Sequence, residues 1–178
     1  MLTTKTAYIL ETERLGMRPF LDSDLEAYAA ICADEKVMEW IRGVETREQS
    51  AAFIARQQMH YERHGFGLWA LVHKKSGDLV GFCGLIQHKI ADDSDEEAIE
   101  LGYRLASDYW GKGFATEAAL AAKSYAFDDL NLNRIVSFVQ PRNVASCRVA
   151  EKCGGTIERM FLRSGVSHRL YVYTAPAK

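Results

Sequence analysis

Trp110-Gly111-Lys112-Gly113-Phe114-Ala115-Thr116-Glu117-Ala118 joins two segments of different period. Before it, Ala98 to Leu105 alternates: Ile99, Leu101, Tyr103 and Leu105 share one face, and Glu100, Gly102 and Arg104 share the other. That is the pattern of a strand. After it, Phe114 to about Phe127 is rich in alanine and reads as a helix. The segment is therefore a strand, a glycine loop and a helix. Glycines let a backbone turn tightly and approach a ligand closely. The first N–H groups of a helix have no internal partner, and the positive end of the helix dipole adds to them. Such a loop is an anion site, and Lys112 places a positive charge at its edge.

Four readings of this loop compete. A Walker loop needs GxxxxGK[ST], and Gly111-Lys112-Gly113 has neither the spacing nor the hydroxyl after the lysine. A dinucleotide fingerprint needs GxGxxG, but Thr116 stands where the third glycine belongs and the preceding strands are joined as hairpins. The third reading is a plain glycine turn before a helix. The fourth is a loop for the diphosphate of coenzyme A. A second motif favours the fourth. Asn143-Val144-Ala145-Ser146-Cys147-Arg148-Val149-Ala150-Glu151-Lys152-Cys153-Gly154 follows one helix and one strand later. Asn143 is a good N-cap and Ser146 lies one turn in, so both polar groups sit at the mouth of a helix beside the sheet. Capping alone for Asn143, and a hydroxyl bonded to its own backbone for Ser146, are the alternatives.

The remaining chain fits around these motifs. Strands are expected at Leu15 to Phe20, Leu68 to Val72, Leu79 to Ile86, Arg134 to Val139, Ile157 to Leu162 and Arg169 to Thr174. Ser76-Gly77-Asp78 is a hairpin turn. Ser23…Glu26 and Thr46…Gln49 read as capping boxes, opening helices to about Ala33 and His64. The order β-α-α-β-β-β-α-β-α-β-β predicts an α+β, three-layer domain spanning residues 1–178. Its mixed, mostly antiparallel sheet has about seven strands flanked by helices.

The two motifs resemble the GNAT acetyltransferase superfamily. Trp110-x-x-Gly113-x-Ala115 is similar to its (Arg/Gln)-x-x-Gly-x-(Gly/Ala) loop, and Asn143-x-x-Ser146 with Glu151-Lys152-x-Gly154 to its second helix. YWGKGFATEA with NVASCRVAEKCGG resembles the branch that contains ribosomal-protein N-terminal acetyltransferases. Three positions depart: Trp110 replaces Arg or Gln, Gly155 replaces a Phe, and Ala150 stands where many members carry a Tyr general acid. The resemblance implies a splayed central parallel strand pair, with acetyl-coenzyme A as acyl donor. Its diphosphate would lie on Trp110, Gly111, Lys112, Gly113, Phe114, Ala115 and Thr116, with Asn143 and Ser146 nearby. Its pantetheine arm would add along the strand that ends at Leu105, where a backbone N–H would meet the oxyanion. A neutral amine must attack the thioester, so its proton needs an acceptor. Glu100, on the polar face of that strand, is the candidate base, against an ordinary solvated carboxylate. Ser146 is the candidate acid toward the thiolate because the Tyr site is vacant.

Other residues weigh less. His60 and His64 have i, i+4 spacing, yet no third ligand for zinc is evident and no metal is expected. Cys147 and Cys153 read as buried thiols, and the four scattered cysteines suit a reducing compartment. Asp92-Asp93-Ser94-Asp95-Glu96-Glu97 lacks the spacing of a calcium loop and reads as a solvated connection. Trp40, Arg42 and Tyr61 lie where the family walls its acceptor pocket. A net charge of −2 gives no reason to expect nucleic acid or membrane as partner. With no apolar leader evident, the cytoplasm is the expected compartment, and a monomer or homodimer the expected state. The expected acceptor is a small amine or a protein N-terminus. A non-catalytic acyl-coenzyme A-binding module is the alternative, and a dinucleotide oxidoreductase a weaker third.

Overall fold

The alternation after Glu97 is realised as a strand near the middle of one sheet. The computed structural model describes residues 7–41, 43–91 and 95–176. In chain order the elements are β1 (Leu10–Glu11), β2 (Leu15–Arg18), α1 (Leu25–Cys32), α2 (Glu35–Met38), α3 (Arg47–His64), β3 (Leu68–His73), β4 (Leu79–Lys89) and β5 (Glu97–Leu105). There follow α4 (Phe114–Asp128), β6 (Arg134–Val139), α5 (Val144–Lys152), β7 (Thr156–Arg163) and β8 (Val166–Thr174). The sheet order is β1-β2-β3-β4-β5-β6-β8-β7. Among the described residues, only the β5–β6 pair is parallel. The α+β architecture with a mixed, mostly antiparallel sheet is the expected one. The additional strand is β1, two residues long and too short to leave a period in sequence.

Helices cover both faces. On one side α4 and α5 pack on Leu101, Leu105, Ile135 and Tyr171. Ala118, Ala119, Ala122 and Ala126 are fully buried, so small side chains let α4 lie close to the sheet. On the other side Phe20, Tyr28 and Phe82 form a second cluster under α1 and α3. Gly155, where the family carries Phe, lies against the Tyr173 ring: a Cβ there would sit 2.8 Å from Tyr173 Cε1.

The two capping boxes differ in outcome. Thr46 and Gln49 exchange both bonds, Gln49 N–H to Thr46 Oγ1 at 3.3 Å and Thr46 N–H to Gln49 Oε1 at 2.7 Å. Ser23 and Glu26 do not form one. The N-cap of α1 is Asp24, without a side-chain cap bond. Its buried carboxylate instead takes both Arg18 nitrogens at 2.6 and 2.7 Å, and Leu21 N–H at 2.8 Å. A charge this far from water needs a charged partner more than a helix needs a cap. The last hairpin is longer than expected. Ser164 and Gly165 both have positive φ, 49° and 75°, which suits a two-residue hairpin turn and lets β8 begin at Val166.

Candidate active site

The site begins where β5 and β6 part. They share one registered pair, Glu100 with Val136, and the Ser137 hydroxyl donates to Leu101 C=O at 2.7 Å. Beyond that point the space between them belongs to a cavity of ≈ 590 Å³. On the other side of β5, Ala106 N–H donates to Val80 C=O. Bonded and non-bonded pairs alternate along an antiparallel ladder, so Tyr103 and Leu105 turn their backbone groups away from β4, into the cleft.

Every residue predicted for the site lines this cavity except Lys112. The Lys112 ammonium folds back to donate to Asp108 C=O at 2.8 Å, over the Tyr109 ring. Positive charge in the wall comes instead from Arg104 on β5 and from Arg148 and Lys152, at i, i+4 on α5. That spacing was a readable signal. Trp40 lines the cavity, Tyr61 packs against the main core, and Arg42 lies outside the described residues.

The glycine loop has the conformation its sequence implies. Gly111 and Gly113 take φ of 72° and 81°, and Gly113 caps α4 without a side chain. The first intrahelical bond runs from Glu117 N–H to Gly113 C=O, so Phe114, Ala115 and Thr116 N–H precede it without a helical acceptor. Trp110 explains its own departure from the family pattern: its indole N–H donates to Leu105 C=O at 2.8 Å and ties the loop to the end of β5.

Arg14 was not found from sequence. Its Nε donates to Glu117 Oε2 at 2.6 Å and its Nη1 to Lys112 C=O at 2.9 Å, while the guanidinium lies over Phe114. It braces the loop and the first turn of α4 from β2's side of the sheet. Arg14→Ala is therefore expected to raise the KM for acetyl-coenzyme A severalfold with little change in kcat, as steady-state kinetics would show.

At the mouth of α5, Asn143 Oδ1 accepts Ser146 N–H at 3.0 Å, the expected cap. The Ser146 hydroxyl does not bond its own backbone. It lies 3.0 Å from Tyr103 Oη, which is also 3.0 Å from Ser146 C=O. Burial pushes the Tyr103 phenol far above its usual range, so it keeps its proton. Ala150 is fully buried, and all four cysteines are buried. No cysteine is among the described residues that line the cavity.

Glu100 lines the same cavity from the other face of β5, and its Oε2 lies 2.5 Å from His88 Nε2. His168 also lines it, with Nδ1–H donating to Val166 C=O at 2.9 Å and Nε2 left as a lone pair. Neither histidine was singled out in the sequence. His60 and His64 stack with centroids 4.4 Å apart, and His60 Nδ1–H donates to Phe66 C=O. Residues 92–94 of the acidic run lie outside the described residues, while Asp95 and Glu96 pair with Lys89 and Arg159. Among the described residues, no helix is long and apolar enough to cross a membrane.

Comparison with known proteins agrees with this geometry. A family model described as an acetyltransferase (GNAT) domain matches residues 14–156. The chain is 33% identical over 160 residues to the probable N-acetyltransferase YjcK of Bacillus subtilis, covering 86% of this chain and 82% of that one. An acetyltransferase structure from Agrobacterium tumefaciens superposes with a TM-score of 0.80 at 29% identity, covering 93% and 94% of the two chains. The ribosomal L7/L12 alpha-N-protein acetyltransferase RimL, solved with coenzyme A, shares the fold with a TM-score of 0.77 at 14% identity, covering 97% and 100%. The splayed strands, the bare glycine loop and these matches together place the chain in the GNAT family of acetyl-coenzyme A-dependent acyltransferases.

Proposed function

We propose that this enzyme passes the acetyl group of acetyl-coenzyme A directly to a primary amine while both are bound. The observation that carries this reading is a single cavity that reaches from the free N–H groups of α4 to Glu100 and Ser146 at the strand splay. The residues present suit the donor. Phe114, Ala115 and Thr116 N–H offer a helix N-terminus to the diphosphate, the space around Gly111 is open, and Arg148 and Lys152 add positive charge. Tyr103 and Leu105 offer backbone bonds to the pantetheine arm, as a sheet edge does to an added strand. The bound thioester supplies an activated acyl carbon and a thiolate leaving group.

The chain's own groups then divide the proton work. Glu100 takes the proton of the attacking amine, directly or through water. A backbone N–H of β5 near Leu105 meets the charge that develops on oxygen. Ser146 donates toward the departing sulfur, while Tyr103, held protonated, spends its one proton on Ser146 C=O and fixes the position of the serine. Ser146→Ala is expected to lower kcat roughly tenfold, about 1.5 kcal/mol for one hydrogen bond to a developing charge, with coenzyme A affinity retained. Isothermal titration beside steady-state kinetics would separate the two effects.

The acceptor side of the cavity has apolar walls, with Val37, Trp40, Ile41, Leu68 and Phe82. Small amines and protein N-termini are the acceptor classes this wall is proposed to take. The test is to incubate the protein with acetyl-coenzyme A and a panel of amines and peptides, and to follow free thiol and product mass. Thiol release with gain of one acetyl group on an amine supports the proposal. Tight coenzyme A binding without thiol release from any member would leave an acyl-coenzyme A-binding module instead.

A further inference from the structure

We propose that His88 and Arg163 form a positioning relay that holds Glu100 as an oriented carboxylate at the cleft. The inference rests on Glu100 being the base. Three elements meet there. His88, on β4, lies two residues along from Ile86, the cross-strand partner of Glu100, so it shares that face and reaches Glu100 diagonally. Its Nε2 is 2.5 Å from Glu100 Oε2, and its Nδ1 is 3.0 Å from Arg163 Nη2 at the end of β7. The imidazole stacks on Phe138, with centroids 5.4 Å apart and planes 29° from parallel, and the Arg163 guanidinium lies 5.1 Å from the same ring centroid.

Chemistry alone fixes the protons. A guanidinium has only donors, so Nδ1 of His88 must be an acceptor and carry no hydrogen. The ring proton then sits on Nε2 and is donated to Glu100. Nor can His88 carry a proton away from Glu100. Its Nε2 is already occupied, and a proton on Nδ1 would set N–H against the N–H of Arg163. His88 is thus a fixed donor to one Glu100 oxygen, which leaves the other to face the cavity. The division of labour is that of a base with its orienting partner, with the arginine choosing the tautomer.

Other charges near Glu100 do not supply this. Arg104, on the same face of β5, is turned to Tyr28 Oη and Cys32 Sγ at 3.2 and 3.3 Å, with Glu45 at 3.8 Å. His168 on β8 spends its donor on Val166 C=O, and His60 on α3 spends its own on Phe66 C=O. Tyr173 on β8 donates to Ser137 Oγ and is kept neutral by burial. Arg159 on β7 is paired with Glu96 and Glu158.

Nitrogen-15 imidazole spectra and the carbon-13 carboxyl signal of Glu100 test this without any acceptor amine. The wild-type His88 signals are expected to be those of the Nε2–H tautomer. His88→Phe keeps the stacking on Phe138 and removes the donor. It is expected to move the Glu100 carboxyl-carbon signal at neutral pH, as loss of a hydrogen-bond donor to a carboxylate does. His88→Gln, whose amide can donate from a similar place, is expected to recover most of that shift. Arg163→Met is expected to admit the Nδ1–H tautomer and to shift Glu100 in the same direction by less. A Glu100 carboxyl signal unchanged in His88→Phe, or an Nδ1–H tautomer in the wild type, would overturn the relay. Glu100→Gln with wild-type turnover would overturn the base reading itself, a different failure from either of these.

Discussion

Glu100→Gln is expected to cut kcat by about two to three orders of magnitude, the usual worth of a positioned base. The fold and the affinity for acetyl-coenzyme A should both survive. The amide oxygen can still accept from His88 Nε2, so the contact at 2.5 Å need not be lost. The free N–H groups of α4 and the backbone of β5 are untouched by the change. What disappears is the acceptor for the amine's proton. An ammonium ion cannot attack, so the variant depends on whatever free amine the solution provides. Its residual rate should therefore climb tenfold per pH unit until the pKa of the acceptor amine is reached, whereas the wild type should level off at lower pH. Calorimetry on the coenzyme A complex, with pH–rate profiles for any amine that the panel identifies, would measure both. A wild-type kcat in the variant would transfer the role, and His168 Nε2, an unshared lone pair on the same cavity, would be the next base to remove.

Much of the frame that carries Glu100 is local in origin, and that is why the sequence shows it. The alternation around Leu101, the alanine face of α4, the left-handed glycines at 111 and 113 and the Asn143 cap are each set within one or two turns of chain. The residues that tune the site are not. Arg14 meets Glu117 across 103 positions, and Arg163 meets His88 across 75. An arginine that braces a loop and one that sits in solvent have the same local pattern, so nothing short of the folded sheet could tell them apart. The misassigned capping box shows the same limit. Ser23 and Glu26 have the spacing, but Arg18 on β2 offers Asp24 a stronger bond than a cap could. Lys112 likewise had the expected position and the wrong direction: a flexible ammonium finds the nearest carbonyl, while Arg148 and Lys152 are aimed by a helix.

Gly81→Ala is expected to be the most destabilising small substitution in the central sheet. Gly81 lies on β4, opposite Leu105 and beside the irregular pairing with β3 between Leu71 and Val72. Its φ is 144°, which L side chains rarely adopt, and a Cβ built there would stand 2.0 Å from Arg104 C=O oxygen and 2.8 Å from Leu105 Cα. Both obstacles are backbone, so no rotamer change can make room. Either β4 or the end of β5 must move, at a cost of about 3 kcal/mol or more once backbone strain and overpacking are combined. Gly77→Ala is the matching control. It also has positive φ, 79°, but open space around the added methyl, and should cost about 1–2 kcal/mol. The damage at Gly81 should not stop at stability. Leu105 C=O holds the Trp110 indole, and the same strand end faces the cleft. Displacing it should loosen the glycine loop, so affinity for coenzyme A is expected to fall in Gly81→Ala and to hold in Gly77→Ala. Urea titrations of the two variants, paired with coenzyme A calorimetry where each remains folded, would show this. Equal losses of stability in both would mean that β5 does not press on β4 at Gly81, and the loop's anchorage to the sheet would have to be sought elsewhere.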